Sequence, residues 1–271
     1  MAYSSLSDMI RFLQYGTRLH IGIVFLGGFS GSAFDLPHSQ TIHSGAVCWK
    51  AKSCEGGSQR CYRCRQAAIR KAVRTCTDFG GYCINGVYEY TRPVIKNGKC
   101  VAVIYIGNIR GSEDRRGRLN RTVGGDPALL ETMETNFDFE KCRRLGKLIE
   151  SYLITLSKED PENSGSKSST LVENIKSYLK ANYDGDISLK DVASLFHYNP
   201  QYLGRIFKQE TGMRFSEYLN QERIRRATAY LDGDTTVISA AYQAGFNNVT
   251  YFNRVFRQQT GKTPSEYKKG M

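Results

Sequence analysis

Tyr202-Leu-Gly-Arg-Ile-Phe-Lys-Gln-Glu-Thr-Gly-Met-Arg-Phe-Ser-Glu-Tyr218 returns 49 residues later as Tyr251-Phe-Asn-Arg-Val-Phe-Arg-Gln-Gln-Thr-Gly-Lys-Thr-Pro-Ser-Glu-Tyr267. Nine of the seventeen positions are identical and others change like for like, as in Leu203/Phe252, Ile206/Val255 and Lys208/Arg257. An exact spacing with this much identity marks a duplicated unit. Working outward from the first copy, Ser188-Leu-Lys-Asp191 has capping-box spacing, and Val192, Leu195 and Phe196 give a short helix its apolar side. Asn199-Pro200 then opens a second helix: Asn satisfies its first N–H groups and Pro at the first position has none to satisfy.

In that second helix Leu203, Ile206 and Phe207 share one face, leaving Gln201, Gly204, Arg205 and Lys208 largely on the other. The second copy places Val237, Ile238, Ala241 and Tyr242 in its first helix, Gly245 at the turn, and Asn247 or Asn248 as cap. Its second helix turns Phe252, Val255 and Phe256 inward and Thr250, Asn253, Arg254 and Arg257 outward. A short helix, a turn and an amphipathic helix with a polar outer face read as a helix-turn-helix, here twice. Residues 216–231 between the copies read as one long helix, with Leu219, Ile224, Ala227 and Leu231 inward. Such a strut can hold two outer helices about 34 Å apart, the separation of successive major grooves. A plain helical bundle would explain one copy; it explains the repeat poorly.

Over residues 170–271 the sequence resembles the DNA-binding domain of the AraC/XylS family of transcription regulators, most specifically in Gly245-Phe-Asn-Asn248 through Arg254, Gly261, Pro264 and Tyr267. The resemblance implies that Gln201, Gly204 and Arg205 face one DNA groove and Thr250, Asn253 and Arg254 the next, with Lys208 and Arg257 as further DNA-binding residues. It also implies promoter DNA and RNA polymerase as partners and a regulator, an activator in the first instance, rather than an enzyme. Two departures stand out: His197 where the second copy has Gly245, and Gly204 without a side chain where a polar reader is expected. The first helix is therefore expected to lean on backbone contacts.

The chain has 271 residues, eight cysteines and a formal net charge of +12, room for two domains and suited to a polyanionic partner. The excess is larger before residue 170, at +8, than after it, at +4. The apolar run 21–29 is too short to cross a membrane and no signal peptide is legible, so a cytoplasmic protein with reduced cysteines is expected.

At the front, an amphipathic helix is expected over 4–15, a strand over 19–26, and a basic helix over 55–77 with Arg60, Arg63, Arg65, Arg70, Lys71 and Arg74. Strands follow at 79–84, 88–95 and 99–109, the last two joined through Asn97-Gly98, a turn sequence tolerant of positive φ. This is an α+β arrangement, a PAS/GAF-like small antiparallel sheet with helices. Cys48, Glu55-Gly-Gly, Arg60-Cys61, Cys83-Ile-Asn-Gly86 through Tyr90, and Ala102 through Gly107-Asn resemble the PocR-type sensory domain over about residues 5–110. That likeness implies recognition of a small organic effector, diols and related compounds among them. Residues 110–121, with five arginines, read as an exposed loop. Residues 138–158 form a helix whose Cys142, Leu145, Ile149, Tyr152 and Leu156 make a short heptad seam, pairing two subunits in a homodimer or packing on the helix's own domain. The expected domains are thus 1–158, a polar linker 159–169, and 170–271.

The cysteines leave three readings open. Cys61-Tyr-Arg-Cys64 has the gap of a metal knuckle, and Cys48 and Cys83 would complete a zinc or iron–sulfur site. Alternatively Cys48 lines an effector pocket with Trp49, Tyr88 and Tyr90, or the thiols are redox-reactive; inert packing is the third reading. Cys54, Cys76, Cys100 and Cys142 read as unpaired and structural, and His38 and His43 as loop surface. An Ada-like alkylation-repair protein, which also joins a cysteine-rich domain to an AraC-like one, is the alternative function. It lacks support in the Cys spacing, and no catalytic Ser/His/Asp or paired-carboxylate arrangement is legible.

Overall fold

A computed structural model describes residues 5–29, 32–41, 43–112, 117–159, 167–196 and 198–269. His197 and most of the expected linker lie outside them. The chain groups into two compact units, Met1–Cys48 with Cys64–Ala181, and Trp49–Arg63 with Asn182–Met271.

The first unit is built on a four-stranded antiparallel sheet, ordered β1-β4-β3-β2, with β1 His20–Phe25, β2 Phe79–Tyr82, β3 Tyr88–Lys96 and β4 Lys99–Ile109. Lys96 pairs with Lys99 across a two-residue turn in which Asn97 and Gly98 take φ +52° and +72°, as the Asn-Gly signal requires. One sheet face carries Ile21, Ile23, Tyr90, Val94, Ala102, Ile104 and Ile106 into an apolar core. Two helices complete that core: α1 Leu6–Gln14, capped by Ser5, through Leu6, Met9 and Ile10, and α6 Phe139–Glu159 through Cys142, Ile149 and Leu153. The heptad seam of α6 is thereby used within its own domain, and Leu145, Tyr152 and Leu156 pack against the same core.

Helix α2 Ala46–Lys52 was not legible in the sequence, whereas α3 Gly57–Thr75 lies where the basic helix was expected. The stretch expected as a loop over 110–121 contains instead α4 Gly117–Val123, which buries Leu119 and Val123 against Val47, Val87 and Met133; α5 Pro127–Glu131 follows, capped by Asp126. Helix α7 spans Lys167–Asn182.

In the second unit α8 Leu189–Leu195 starts on a complete capping box between Ser188 and Asp191. Helix α9 Pro200–Thr211 starts on Asn199, whose side chain accepts from the N–H groups of Gln201 and Tyr202. After α10 Phe215–Leu231 come α11 Val237–Gln243, capped by Thr236, α12 Val249–Thr260, capped by Asn248, and α13 Pro264–Lys269. Phe246, Phe252, Val255 and Phe256 pack on Ile224, Ala227 and Leu231 of α10 and on Ala240, Ala241 and Ala244. In the same unit Lys52 Nζ lies 2.8 Å from Asp184 Oδ2 with both side chains buried.

Candidate nucleic-acid interface and effector cavity

Helices α9 and α12 end alike as well as begin alike. Each closes on a left-handed glycine, Gly212 at φ +73° and Gly261 at φ +76°, whose N–H donates to the carbonyl of Lys208 or Arg257. Each also has a threonine, Thr211 or Thr260, whose hydroxyl donates back to the carbonyl of Phe207 or Phe256. Both helices bury three apolar residues, Leu203, Ile206 and Phe207 in one and Phe252, Val255 and Phe256 in the other.

Of the residues expected to meet DNA, Gln201, Arg205, Lys208, Thr250, Asn253, Arg254 and Arg257 are all exposed. Gly204 is not one of them in kind. It is half-buried, and a Cβ there would stand 3.0 Å from Leu189 Cδ2, so the missing side chain serves the approach of α8 to α9. A correspondence the sequence did not reveal is that Arg205 lies over the ring of Tyr202 at 5.9 Å and Arg254 over Tyr251 at 5.2 Å. The i, i+3 stack restrains each guanidinium while leaving its donors outward. Tyr251 is further fixed by Asn220 Nδ2, which donates to its hydroxyl at 2.8 Å.

The second unit holds two further charged groups that sequence reading missed, the half-buried Arg223 and the buried Glu222. Arg223 Nε donates to Tyr183 O at 2.8 Å and its Nη2 to Gly185 O at 2.6 Å, fastening the loop before α8 to α10. Burial pulls the Arg223 guanidinium down to about 10. Glu222 accepts from Arg225 at 2.6 Å and from Arg226 at 2.8 Å. Burial alone would raise its carboxyl, but the two arginines outweigh burial and hold it below the usual range.

In the first unit the sheet face away from the apolar core carries polar residues, His20, Glu89 and Tyr105, beside the buried Val24 and Val103. A cavity of about 10 Å³, the size of one water, is lined by His20, His43, Gly45, Cys48, Cys83, Val87, Glu89 and Asn108. His43, expected on the loop surface, instead lies 2.8 Å from Glu89 with its side chain 12% exposed. Asn108 takes φ +62° and donates from Nδ2 to Arg18 O at 2.7 Å and to Thr132 O at 2.8 Å. Its orientation is thus fixed, and its buried Oδ1 has no partner among the described residues. The hydroxyl of Tyr105, whose ring meets His43 at 5.5 Å, is likewise buried without one. Burial, with the charge of Glu89, pushes that phenol far up and keeps it a donor. Gly45 and Gly107 make the room: a Cβ would meet Asn108 Oδ1 at 2.6 Å and Glu89 Oε1 at 3.0 Å respectively.

Of the expected pocket residues only Cys48 lines this cavity. Tyr90 points into the apolar core, donating its hydroxyl to Asp78 at 2.6 Å, and Tyr88 packs against that core and Tyr82. Trp49 belongs to the second unit, its ring 5.3 Å from that of Tyr230. Nor are Cys48, Cys61, Cys64 and Cys83 assembled into a ligand set: among the described residues no three His, Cys, Asp or Glu side chains are grouped to hold a metal ion. Cys48 and Cys83 share the cavity, whereas Cys61 and Cys64 are carried on α3. Burial raises the thiols of Cys64 and Cys83.

The chain thus joins a sheet domain holding a small polar cavity to a helical domain with paired helices of matched ends. The family described as "Sensory domain found in PocR" matches residues 6–154, and "Helix-turn-helix domain" matches residues 192–270. The chain belongs to the PocR sensory-domain family and carries an AraC-type helix-turn-helix region. It is 25% identical over 193 residues to the regulatory protein PocR of Salmonella typhimurium, covering 62% of this chain and 64% of that one. To the uncharacterised HTH-type transcriptional regulator YijO of Escherichia coli it is 36% identical over 107 residues, 39% and 38% of the two chains. The match thus spans less than two thirds of either relative. Among solved structures, the C-terminal domain of the response regulator AraT from Geobacillus stearothermophilus is similar at 27% identity and a TM-score of 0.38, over 39% of this chain and 89% of that one. No helix among the described residues is long and apolar enough to cross a membrane.

Proposed function

We propose that this protein is a cytoplasmic transcription regulator that reads duplex DNA with two helix-turn-helix units, α8–α9 and α11–α12, under control of a small effector received by a PAS/GAF-like front domain. The observation that carries the reading is the matched presentation of α9 and α12: equal caps, equal left-handed ends, and an outward arginine stacked on a tyrosine in each. An arginine held in this way can donate two hydrogen bonds to guanine O6 and N7 in the major groove. Gln201, Lys208, Thr250, Asn253 and Arg257 supply further base and phosphate contacts. Activation through RNA polymerase follows from the family resemblance alone.

The match to the sensory family supports an effector received by the front domain; the polar cavity there is the size of one water, so a larger molecule would have to open the domain around Asn108 Oδ1. To regulate, the molecule must bind one arrangement of the front domain better than another. The Ada-like alternative is not favoured, because the front domain matches the sensory family. The test uses an operator selected from a randomised duplex pool. Arg254→Ala is expected to weaken operator binding by about 1–3 kcal/mol and to relax one base position. An equal loss on random duplex would show that Arg254 meets phosphate only, and failure to select any operator would sink the regulator reading.

A further inference from the structure

The front half of the chain is its more basic part, and neither the helix-turn-helix units nor the effector cavity uses that charge. Much of it lies on α3. This helix of 19 residues holds Arg60, Arg63, Arg65, Arg70, Lys71 and Arg74 and not one Asp or Glu. Arg65 is buried; the other five cations are exposed. At 3.6 residues per turn, Arg60, Arg63, Arg70, Lys71 and Arg74 fall within an arc of about 100°. Ala67 lies inside the same arc and is exposed too, so the middle of the stripe has no bulk to hold a partner off.

An ordinary solvated helix face interleaves both signs, because like charges three and four residues apart repel. Here the repulsion is left standing. Among the described residues no carboxylate side chain forms an ion pair with Arg60, Arg63, Arg70 or Arg74, and the Arg60 side chain donates to the backbone oxygen of Glu55. Helix α4 adds Arg118 and Arg121, both exposed and again without an acid on the helix. Arg118 is near enough to α3 to act on the Cys64 thiol.

We propose that this stripe is a second, sequence-independent DNA contact, binding the phosphate backbone of a duplex through Arg60, Arg63, Arg70, Lys71 and Arg74. From Arg60 to Arg74 the helix rises about 21 Å at 1.5 Å per residue. One DNA strand presents a phosphate about every 3.4 Å of axis, so the stripe faces roughly six of them. A repeating line of anions suits a repeating line of cations that has no acidic gap. Four of the five are arginines, whose planar donors pair with phosphate bidentately. A protein partner would call for an apolar anchor, and the centre of this stripe is an alanine. The proposal goes beyond base reading by α9 and α12, and it assigns α3 a part in affinity and none in specificity.

The experiment measures the salt dependence of binding to a labelled random-sequence duplex by fluorescence anisotropy, with the full chain and its R63A/R70A/R74A variant. With three phosphate contacts removed, the slope of log K against log salt is expected to fall in magnitude by about 2.7, at about 0.9 per contact. The R63K/R70K/R74K variant is expected to keep most of the wild-type slope, since phosphate is read mainly as charge. An unchanged slope in the alanine variant would overturn the proposal. So would an equal loss in both variants, which would trace the effect to packing of α3. Retention on acidic phospholipid vesicles that the alanine variant loses, with its DNA slope intact, would move the surface to a membrane and overturn the DNA assignment as well.

Discussion

Gly245 is the position at which sequence motif and structure make the sharpest joint statement. Its φ is +88°, and a Cβ built there would stand 2.6 Å from Tyr183 O and 2.7 Å from Asp184 Cα, both backbone atoms that cannot swing away. Gly212 and Gly261 have nearly the same backbone, φ +73° and +76°, but a Cβ on either meets nothing within 4 Å. All three glycine-to-alanine changes share the cost of placing an L-residue in the left-handed region, about 1–2 kcal/mol. Only Gly245→Ala adds an overpacking cost of about 1–3 kcal/mol, for a total of roughly 2–5 kcal/mol. The single tryptophan, Trp49, lies against Tyr230 in the same unit, so urea unfolding followed by its fluorescence reports the unit concerned. The expected order is Gly245→Ala well below Gly212→Ala and Gly261→Ala, these two being close to each other. If Gly245→Ala costs no more than the other two, the loop at Tyr183 does not press on this turn and the reasoning fails.

Two further outcomes concern stability. Because the folded-state carboxyl of Glu222 is held below its ordinary range, its contribution is present above the unfolded value of about 4.3 and lost as pH falls through the folded value; Glu222→Gln should flatten the acid limb of a stability–pH curve, and an unchanged limb would exclude the Arg225 and Arg226 pairing. Ile149, 0% exposed in the sheet-side core, should cost about 2–5 kcal/mol when changed to Ala, read by calorimetry. Sedimentation should show no concentration-dependent change of mass on this substitution, and loss of a dimer would restore the seam as a subunit contact.

What was legible in the sequence was what local chemistry writes. The Asn97-Gly98 hairpin, the Ser188/Asp191 box, the Asn199-Pro200 start and the long α10 each depend on a few neighbouring residues, and each lies where those residues put it. The cavity is a product of register. His20 meets the level of Gly107 only because β1 pairs with β4, and Glu89 comes beside it through the irregular pairing of β3 between Tyr88 and Tyr90. Nothing in the spacing of residues 20, 89 and 108 announces that meeting. Aromatic residues were the wrong cue for the pocket, since Tyr88 and Tyr90 serve the opposite face and its neighbourhood. The two-residue gap of Cys61 and Cys64 suggested a knuckle because spacing says nothing of the regular helix that carries both thiols. Gly204 misled in another way: the sequence showed a missing side chain but not that Leu189 stands where one would be.

The twin terminations of α9 and α12 bear on how such a protein changes over generations. Asparagine at the entrance and a left-handed glycine at the exit fix where each helix begins and ends without involving its outward residues. Under the proposed function, a mutation at position 201, 205, 250 or 254 would therefore alter what one helix recognises while its frame, and the whole of its twin, stay as they were. Half of a binding sequence could then drift at a time, with the unaltered half holding the complex together until the other finds a new match.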